Sequence, residues 1–202
     1  RFINKFLFDI GVVPQLEPYQ KRTSHGIVLA EDNRKMSKSF GNVINPDEII
    51  QKYGADTLRL YEMFMGPFDQ AIAWSEDGVK GVYRFLERVW FRAINGLELL
   101  VDSKKAEDNE RKLITLINKT IKKVTEDIDS CKFNTAISNL MIFMNESQDL
   151  QVDEYGKETK IFEKFLIILS PFAPHLAEEL WSQLGHQKSI SEEKWPESDP
   201  KF

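Results

Sequence analysis

The chain has 202 residues, of which 42% are hydrophobic and 29% are charged, and its formal net charge is −5 at pH 7. A chain of this length can bury one good core or two small ones. No apolar run approaches the roughly 18 residues that a membrane span requires, so we expect no membrane role. The negative charge argues against strong autonomous binding to nucleic acid, because phosphate contacts dominate that affinity.

Cysteine and histidine are scarce, which restricts the metal and redox chemistry of the chain. Cys131 is the single cysteine, so an internal disulfide and a Cys-rich zinc site are excluded, and we interpret it as a small residue on a helix face. Because the histidines His25, His175 and His186 are scattered, we predict no metal site. We interpret His175 as a packing residue at the start of a helix.

The first 70 residues predict short helices, a strand pair and a polar loop. In chain order the elements are a helix over 1–10, a turn-rich connector over 11–18, a strand pair that includes a strand over 26–30, a helix that begins after residue 45 and a helix over 55–65. Asn45 before Pro46 is typical of a helix start, and Gly54 ends that helix.

Asp56 and Arg59 lie three residues apart near the start of the predicted 55–65 helix. This spacing favours an ordinary ion pair within the helix. The alternative is that one of the two residues anchors the polar loop to the helix that supports it.

From Ser75 onward the apolar residues recur at helical spacing. Ser75 can cap a long helix to about residue 100, and Asn134 can cap another. The remaining predicted elements are a polar link over 102–108, a helix to about residue 130, a helix over 157–170 and a helix from Pro174 to Gly185. We therefore predict an up-and-down helical bundle and a mainly α fold.

The run RKMSKSFGN over residues 34–42 places two lysines and two hydroxyls beside a glycine in a polar loop. A lysine ammonium is a compact charge on a flexible stem that can follow a polyphosphate, and hydroxyls and free backbone N–H groups add uncharged donors. Phosphate binding is one interpretation. The others are a solvated basic loop and a kinase site at Ser37 or Ser39.

The sequence around this loop, residues 25–67, is HGIVLAEDNRKMSKSFGNVINPDEIIQKYGADTLRLYEMFMGP. It resembles the signature-loop region of the class I aminoacyl-tRNA synthetases, and residues 35–39 match the KMSKS motif of that family letter for letter. The runs over 55–67, 73–90 and 170–181 resemble leucyl-tRNA synthetases of the bacterial type more than their valyl or isoleucyl relatives. The resemblance covers essentially the whole chain.

The resemblance implies two domains. Residues 1–70 would be the C-terminal remnant of a Rossmann-like catalytic domain, with the KMSKS loop and connecting helices. Residues 71–202 would be a helical bundle of the anticodon-binding type that docks tRNA.

The reaction implied by the resemblance is that of a leucine–tRNA ligase, in which leucine is activated with ATP and transferred to tRNA(Leu). By the motif, Lys38 and Lys35 are the expected catalytic residues, with Lys38 as the main phosphate contact. Met36, Ser37 and Ser39 complete the expected ATP-binding set. The resemblance also implies Mg²⁺ with the ATP and a cytoplasmic monomer.

Basic and aromatic residues of the bundle are candidates for contact with tRNA. The basic residues are Arg84, Arg88, Arg92, Lys119, Lys122 and Lys123. Each could instead belong to a solvated face with acidic neighbours. Trp74, Trp90, Trp181 and Trp195 could stack on unpaired bases, although their helical spacing favours core positions.

Half of a class I active site has no counterpart in this sequence. The His-x-Gly-His motif of the family does not occur, because Ile27 and Val28 follow His25-Gly26. The chain begins with Arg1 and closes on a proline-containing run without a regular element. We therefore expect a segment of a longer enzyme that is inactive alone.

Two alternatives remain open. The segment could belong to a valyl-, isoleucyl- or methionyl-tRNA synthetase, which the YEMFMGP and WSEDGVKGVYRF runs disfavour. It could also be a free-standing helical tRNA-binding module with a vestigial loop.

Overall fold

The computed structural model describes the backbone of residues 1–95, 103–148, 150, 155–199 and 201, which is mostly helical. The elements in chain order are α1 (Phe2–Asp9), β1 (Val28–Leu29), α2 (Pro46–Tyr53), α3 (Ala55–Phe64), β2 (Ile72–Ala73), α4 (Glu76–Asn95), α5 (Ser103–Asp129), α6 (Phe133–Glu146), α7 (Tyr155–Leu169) and α8 (Pro174–Gln183). Within the described ranges, no helix combines the length and the apolar character that crossing a bilayer requires. The mainly α fold class is confirmed.

The hydrophobic core lies between helices α3 to α8. α5 packs against α6 and α7, α7 packs against α8, and α3 packs against α4, α6 and α8. At the centre the rings of Phe143 and Phe165 are stacked with centroids 4.9 Å apart, and Phe162 stacks on Phe165 at 5.5 Å. Helix α3 therefore belongs to the bundle by its packing, and the predicted boundary after residue 70 stays a prediction.

Three predicted caps and helix ends are confirmed. The Asn45 side chain accepts a hydrogen bond from the backbone N–H of Asp47 at 3.1 Å, and Gly54 ends α2 with φ of 87°. The Ser75 hydroxyl accepts a hydrogen bond from the Gly78 N–H at 3.3 Å. Such side chains satisfy N–H groups that a helix start leaves without partners.

Other predicted boundaries are wrong. The polar link over 102–108 is helical from Ser103, because α5 begins there. α6 begins at Phe133, so Asn134 lies inside its first turn and Lys132 occupies the cap position without a side-chain hydrogen bond. The predicted end of the α4 helix, near residue 100, lies outside the described residues.

Cys131 is not the helix-face residue that the sequence predicts. It follows α5 in the left-handed conformation, with φ of 55°. The Cys131 N–H donates to the Ile128 carbonyl at 3.0 Å, and the Lys132 N–H donates to the Asp127 carbonyl at 2.7 Å. This is the paired bonding of a Schellman helix end, in which glycine usually occupies the left-handed position.

The two strands form a small parallel sheet in which Val28 lies opposite Ile72 and Leu29 opposite Ala73. β1 is shorter than the strand predicted over 26–30. Gly26 approaches the chain before β2 so closely that an added Cβ would lie 1.7 Å from the Gln70 carbonyl oxygen. The connection between the strands contains the KMSKS loop, α2 and α3, so the sheet holds both ends of the segment that carries the loop.

The C-terminal segment lies along α5 through side chains that bond to their own helix. The side chains of Asn118, Thr120 and Thr125 each donate to the carbonyl four residues earlier, at 2.7–2.8 Å. The Trp195 indole N–H then donates to the Thr125 hydroxyl oxygen at 2.8 Å, and the Asp199 backbone N–H donates to the Asn118 side-chain oxygen at 2.7 Å. Polar groups of α5 thus fasten the tail to the bundle.

Candidate functional site

The first half of the KMSKS loop is a tight turn that follows β1. The Ala30 N–H donates to the Arg34 carbonyl and the Asn33 N–H donates to the Ala30 carbonyl, both at 2.9 Å. Asn33 takes the left-handed conformation with φ of 61°, which asparagine tolerates better than most residues. Lys35 returns beside Leu29 in an antiparallel bridge. The turn therefore places the first lysine of the motif against the strand.

An ion pair holds the tip of this turn. The Arg34 Nε donates to Asp32 Oδ2 at 2.7 Å, and the Arg34 backbone N–H donates to Asp32 Oδ1 at 3.0 Å. The hydrogen bond from the Arg34 side chain lowers the pKa of Asp32. The Arg34 guanidinium also lies 5.2 Å from the ring centroid of Phe40. Asp32 therefore keeps its charge and its hold on the turn at neutral pH.

The second half of the loop is held by one asparagine and one glycine. The Ser37 N–H donates to Asn42 Oδ1 at 2.9 Å, and the hydroxyls of Ser37 and Ser39 are 2.8 Å apart. A 3₁₀ turn spans Lys38–Phe40, and Gly41 ends it in the left-handed conformation with φ of 64°. Glycine is suited to this position because it has no Cβ to clash. Lys38 therefore starts a short turn of fixed shape.

Both lysines of the motif are exposed, and Met36 packs against the core beneath them. In the part of the chain that the structure describes, neither lysine ammonium has an ion-pair or hydrogen-bond partner. Two unpaired ammonium groups on a loop with a fixed backbone can bind an anion without first breaking an ion pair.

The cavity on one side of the loop is not suited to phosphate. It has a volume of about 430 Å³, and its walls include the carboxylates of Glu31, Asp32, Glu48 and Glu76. Lys35 and Lys38 are not among its walls. Because carboxylates repel a polyphosphate, we expect phosphate on the loop surface where the lysines are exposed.

The three predicted arginines of α4 lie together in a groove of about 1180 Å³ formed by α2, α3, α4, α6 and α8. The Arg88 guanidinium donates to the Asn145 side-chain oxygen at 2.7 Å, and the Arg92 guanidinium donates to the Ser147 carbonyl at 2.8 Å. These contacts orient the two guanidinium groups. The aromatic residues of the groove are Tyr53, Tyr83, Trp90 and Phe91.

The three predicted lysines of α5 line a separate, smaller cavity of about 420 Å³. Lys119 and Lys122 are exposed there beside Glu126 and Glu146. The Lys123 ammonium pairs with Asp127 at 2.8 Å, and this hydrogen bond raises the pKa of Lys123. The structure does not bring the two basic clusters into one cavity, and acidic neighbours partly neutralise the lysine cluster.

The predicted ion pair between Asp56 and Arg59 is wrong, and so is the alternative that either residue anchors the loop directly. The Asp56 carboxylate accepts hydrogen bonds from His175 Nδ1 and from the Leu176 backbone N–H, both at 2.7 Å. Arg59 donates to the Pro171 carbonyl at 3.0 Å. His175 lies at the start of α8, as predicted. Its side chain bonds to Asp56 and is 75% exposed, so the prediction that it packs in the core is wrong.

The tryptophans divide into two kinds. Trp74 and Trp181 are buried, as the core interpretation predicts. Trp90 is 39% exposed in the groove of the α4 arginines, and Trp195 is 36% exposed in the C-terminal segment that contacts α5. Within the described ranges, no group of three or more His, Cys, Asp or Glu side chains is placed to hold a metal ion.

Sequence reasoning did not assign roles to Asn42 and Asp32, which hold the two halves of the loop. The sequence offered two signals for these roles. Asn42 directly follows a glycine, and Asp32 lies two residues before an arginine. Both residue types commonly bond to nearby backbone N–H groups in turns.

Comparisons with known proteins identify the family to which the chain belongs. The family model of the class I tRNA synthetases (I, L, M and V) matches residues 6–75, and that of the anticodon-binding domain of tRNA ligase matches residues 110–202. A leucyl-tRNA synthetase of Agrobacterium radiobacter, solved in a ternary complex with tRNA and LeuAMS, superposes with a TM-score of 0.83 at 30% identity. This match covers 100% of the present chain and 27% of that enzyme.

A second solved structure shows the fold at lower similarity. Mycobacterium tuberculosis methionyl-tRNA synthetase, in complex with methionyl-adenylate, matches 94% of this chain and 43% of that one, with a TM-score of 0.64 and 15% identity. The present chain thus spans less than half of either enzyme. It belongs to the class I aminoacyl-tRNA synthetases, and the segment of such an enzyme that it carries is of the leucyl-tRNA synthetase type.

Proposed function

We propose that this chain is the part of a leucine–tRNA ligase that holds the ATP phosphates and docks tRNA(Leu). The observation that carries the proposal is the pair of exposed ammonium groups of Lys35 and Lys38, which have no ion-pair partner among the described residues, on a loop held by hydrogen bonds to Asp32 and Asn42. The similarity to a leucyl enzyme over the whole chain supports leucine as the amino acid. The complete enzyme, which we propose to be a cytoplasmic monomer, would require a longer chain.

The chemistry would be attack of the leucine carboxylate on the α-phosphorus of ATP, with pyrophosphate as the leaving group. Negative charge then accumulates on the β- and γ-phosphates. Lys38 would stabilise this charge and Lys35 would assist, while Met36 anchors the loop through its contact with the core. One donor aimed at such charge contributes about 100- to 1000-fold in rate. Mg²⁺ would be bound mainly by the phosphates of ATP.

The groove of α4 would contact tRNA. Arg84, Arg88 and Arg92 lie in one row along it, and their charges can contact phosphates. The exposed rings of Trp90 and Phe91 can stack on unpaired bases. We propose the lysine cluster of α5 as a weaker contact, because its acidic neighbours reduce the local positive charge.

ATP–pyrophosphate exchange with leucine tests the proposal. The assay compares the 202-residue chain, the longer enzyme that carries it and the Lys38→Ala variant of that enzyme. We expect exchange by the longer enzyme alone, and a decrease of about 100-fold or more in Lys38→Ala. Lys188→Ala is the matched control, because it removes the same charge from an exposed position after α8.

Each outcome separates one alternative. Exchange by the 202-residue chain itself would refute the expectation that the segment is inactive alone. Activity of the longer enzyme with valine, isoleucine or methionine in place of leucine would move the assignment to that relative. Full activity of Lys38→Ala would refute the phosphate role of the loop.

A further inference from the structure

Asp56 on α3 is a charged residue in an almost buried position. It is 7% exposed, and the two hydrogen bonds that it accepts come from residues 119 and 120 positions further along the chain. A buried carboxylate is costly unless it is paired and hydrogen-bonded. The start of α8 supplies both of its described partners.

The start of α8 in turn has no cap of its own. Ala173 occupies the cap position and has no side-chain acceptor, and Pro174, the first helical residue, has no N–H. Leu176 is the third residue of the helix, whose N–H a capping side chain would normally accept. Asp56 supplies that acceptor from a different helix, and its charge is favourable at the positive end of the helix dipole.

Arg59, one turn further along α3, contacts the chain just before α8. Its guanidinium donates to the Pro171 carbonyl at 3.0 Å, in the turn between α7 and α8. Asp56 and Arg59 of α3 therefore both hold residues 171–176, which we call the α8 corner. The two contacts add to the core packing of α3 in setting its direction relative to the bundle.

α3 is connected to the phosphate loop through α2. Residues 42–45 lead from the loop to α2, and Gly54 alone separates α2 from α3. α2 is tied to the start of α4 as well, because Lys52 pairs with Glu76 at 2.8 Å and the Tyr53 hydroxyl donates to Glu76 at 3.3 Å. The orientation of the loop relative to the bundle thus depends on how α3 packs against the bundle.

We propose that Asp56 and Arg59 are positioning residues that align the phosphate loop with the tRNA-docking bundle through the α8 corner. This inference rests on the proposed function. The adenylate would form at the loop while tRNA is held by the bundle, so the transfer step requires both parts in one fixed arrangement. The activation step requires the loop but not the bundle.

The Asp56→Asn variant of the longer enzyme tests the inference. The amide has one oxygen and no charge, so it can serve one donor fully and loses the charge-assisted bond to the other. We expect kcat/KM for tRNA aminoacylation to fall about tenfold, while leucine-dependent pyrophosphate exchange changes less than about threefold. Asp56→Glu, which keeps both acceptor oxygens, should recover part of the loss. Asp69→Asn is the matched control, because it removes the same charge from an exposed position after α3.

A purely structural role would give a different result. Equal losses in exchange and aminoacylation, with a lower melting temperature, would overturn the inference. Unchanged aminoacylation in Asp56→Asn would overturn it too.

Amide hydrogen exchange in the 202-residue chain gives a test that does not depend on leucine. Asp56→Asn should accelerate exchange at Leu176, in the α8 corner, and leave exchange at Ser37 unchanged, because the substitution alters the alignment of the loop and not the hydrogen bond that holds it. Unchanged exchange at Leu176, or faster exchange at Ser37, would overturn the inference. If the wild-type longer enzyme shows no leucine-dependent exchange, the proposed function fails, and this measurement still decides whether Asp56 holds the α8 corner.

Discussion

Replacing Asn42 with alanine should loosen the KMSKS loop without unfolding the bundle. Asn42 Oδ1 accepts the Ser37 N–H at 2.9 Å, and Ser37 is half-buried. Leaving a buried donor without a partner costs about 1–3 kcal/mol, and a half-buried one that water can reach should cost about 1 kcal/mol. A change of about 1 kcal/mol alters an opening equilibrium about fivefold. The Ser37 amide of Asn42→Ala should therefore exchange about five times faster than that of the wild type.

The assay is amide hydrogen exchange of the 202-residue chain, with Asn42→Asp as the matched control. Aspartate keeps the acceptor oxygen, so the Ser37 amide should keep its protection in this variant. Amides of the buried core, such as that of Leu140, should exchange at the wild-type rate in both variants, because the loop lies outside the core. Wild-type exchange of the Ser37 amide in Asn42→Ala would refute the role of Asn42 in fixing the loop.

Two further predictions concern stability and are measured by urea denaturation. Phe165→Ala should lower the unfolding free energy by about 3–5 kcal/mol, because the ring has no exposed surface and stacks on two other rings. The control is Ile142→Ala, at a position that is 46% exposed, which should lower the unfolding free energy by less than about 1 kcal/mol. A loss below about 1 kcal/mol in Phe165→Ala would contradict the core assignment. Cys131→Gly should raise the unfolding free energy by about 0.5–1 kcal/mol, because glycine removes the left-handed strain of about 1–2 kcal/mol and loses part of this gain to entropy. Cys131→Ala keeps the Cβ and should show no gain, and equal midpoints for the two variants would contradict the strain argument.

Local chemistry made much of the helical framework predictable. The cap at Asn45 and the stop at Gly54 act within a few residues, so the sequence alone identified them correctly. The same reasoning was wrong at Asn134, because a residue suited to capping does not cap when the helix already begins at Phe133. At Cys131 the requirement of the α5 end for a left-handed residue outweighed the intrinsic preference of cysteine.

Contacts between distant residues could not be predicted in this way. The spacing of Asp56 and Arg59 favours a pair within one helix, worth a few tenths of a kcal/mol. Charge-assisted bonds to an uncapped helix start and a free carbonyl are stronger, and both lie more than 100 residues away in sequence. The KMSKS motif itself was recognisable, but its support by Asn42 depends on a loop path that no periodicity specifies.

The contact between α5 and the C-terminal segment depends on which hydrogen-bonding groups the helix presents. Since the Asn118 and Thr125 side chains donate their hydrogens to their own helix, the oxygens that face the tail can only accept. A segment that bonds to these oxygens must therefore bring hydrogen-bond donors, which here are the N–H groups of Trp195 and Asp199. Proline at position 199 or phenylalanine at position 195 would bring none. Asn118 and Thr125, which bond within α5, thus present acceptor oxygens to the C-terminal segment. Of two segments with equal hydrophobicity, the one that carries donors at these positions binds better.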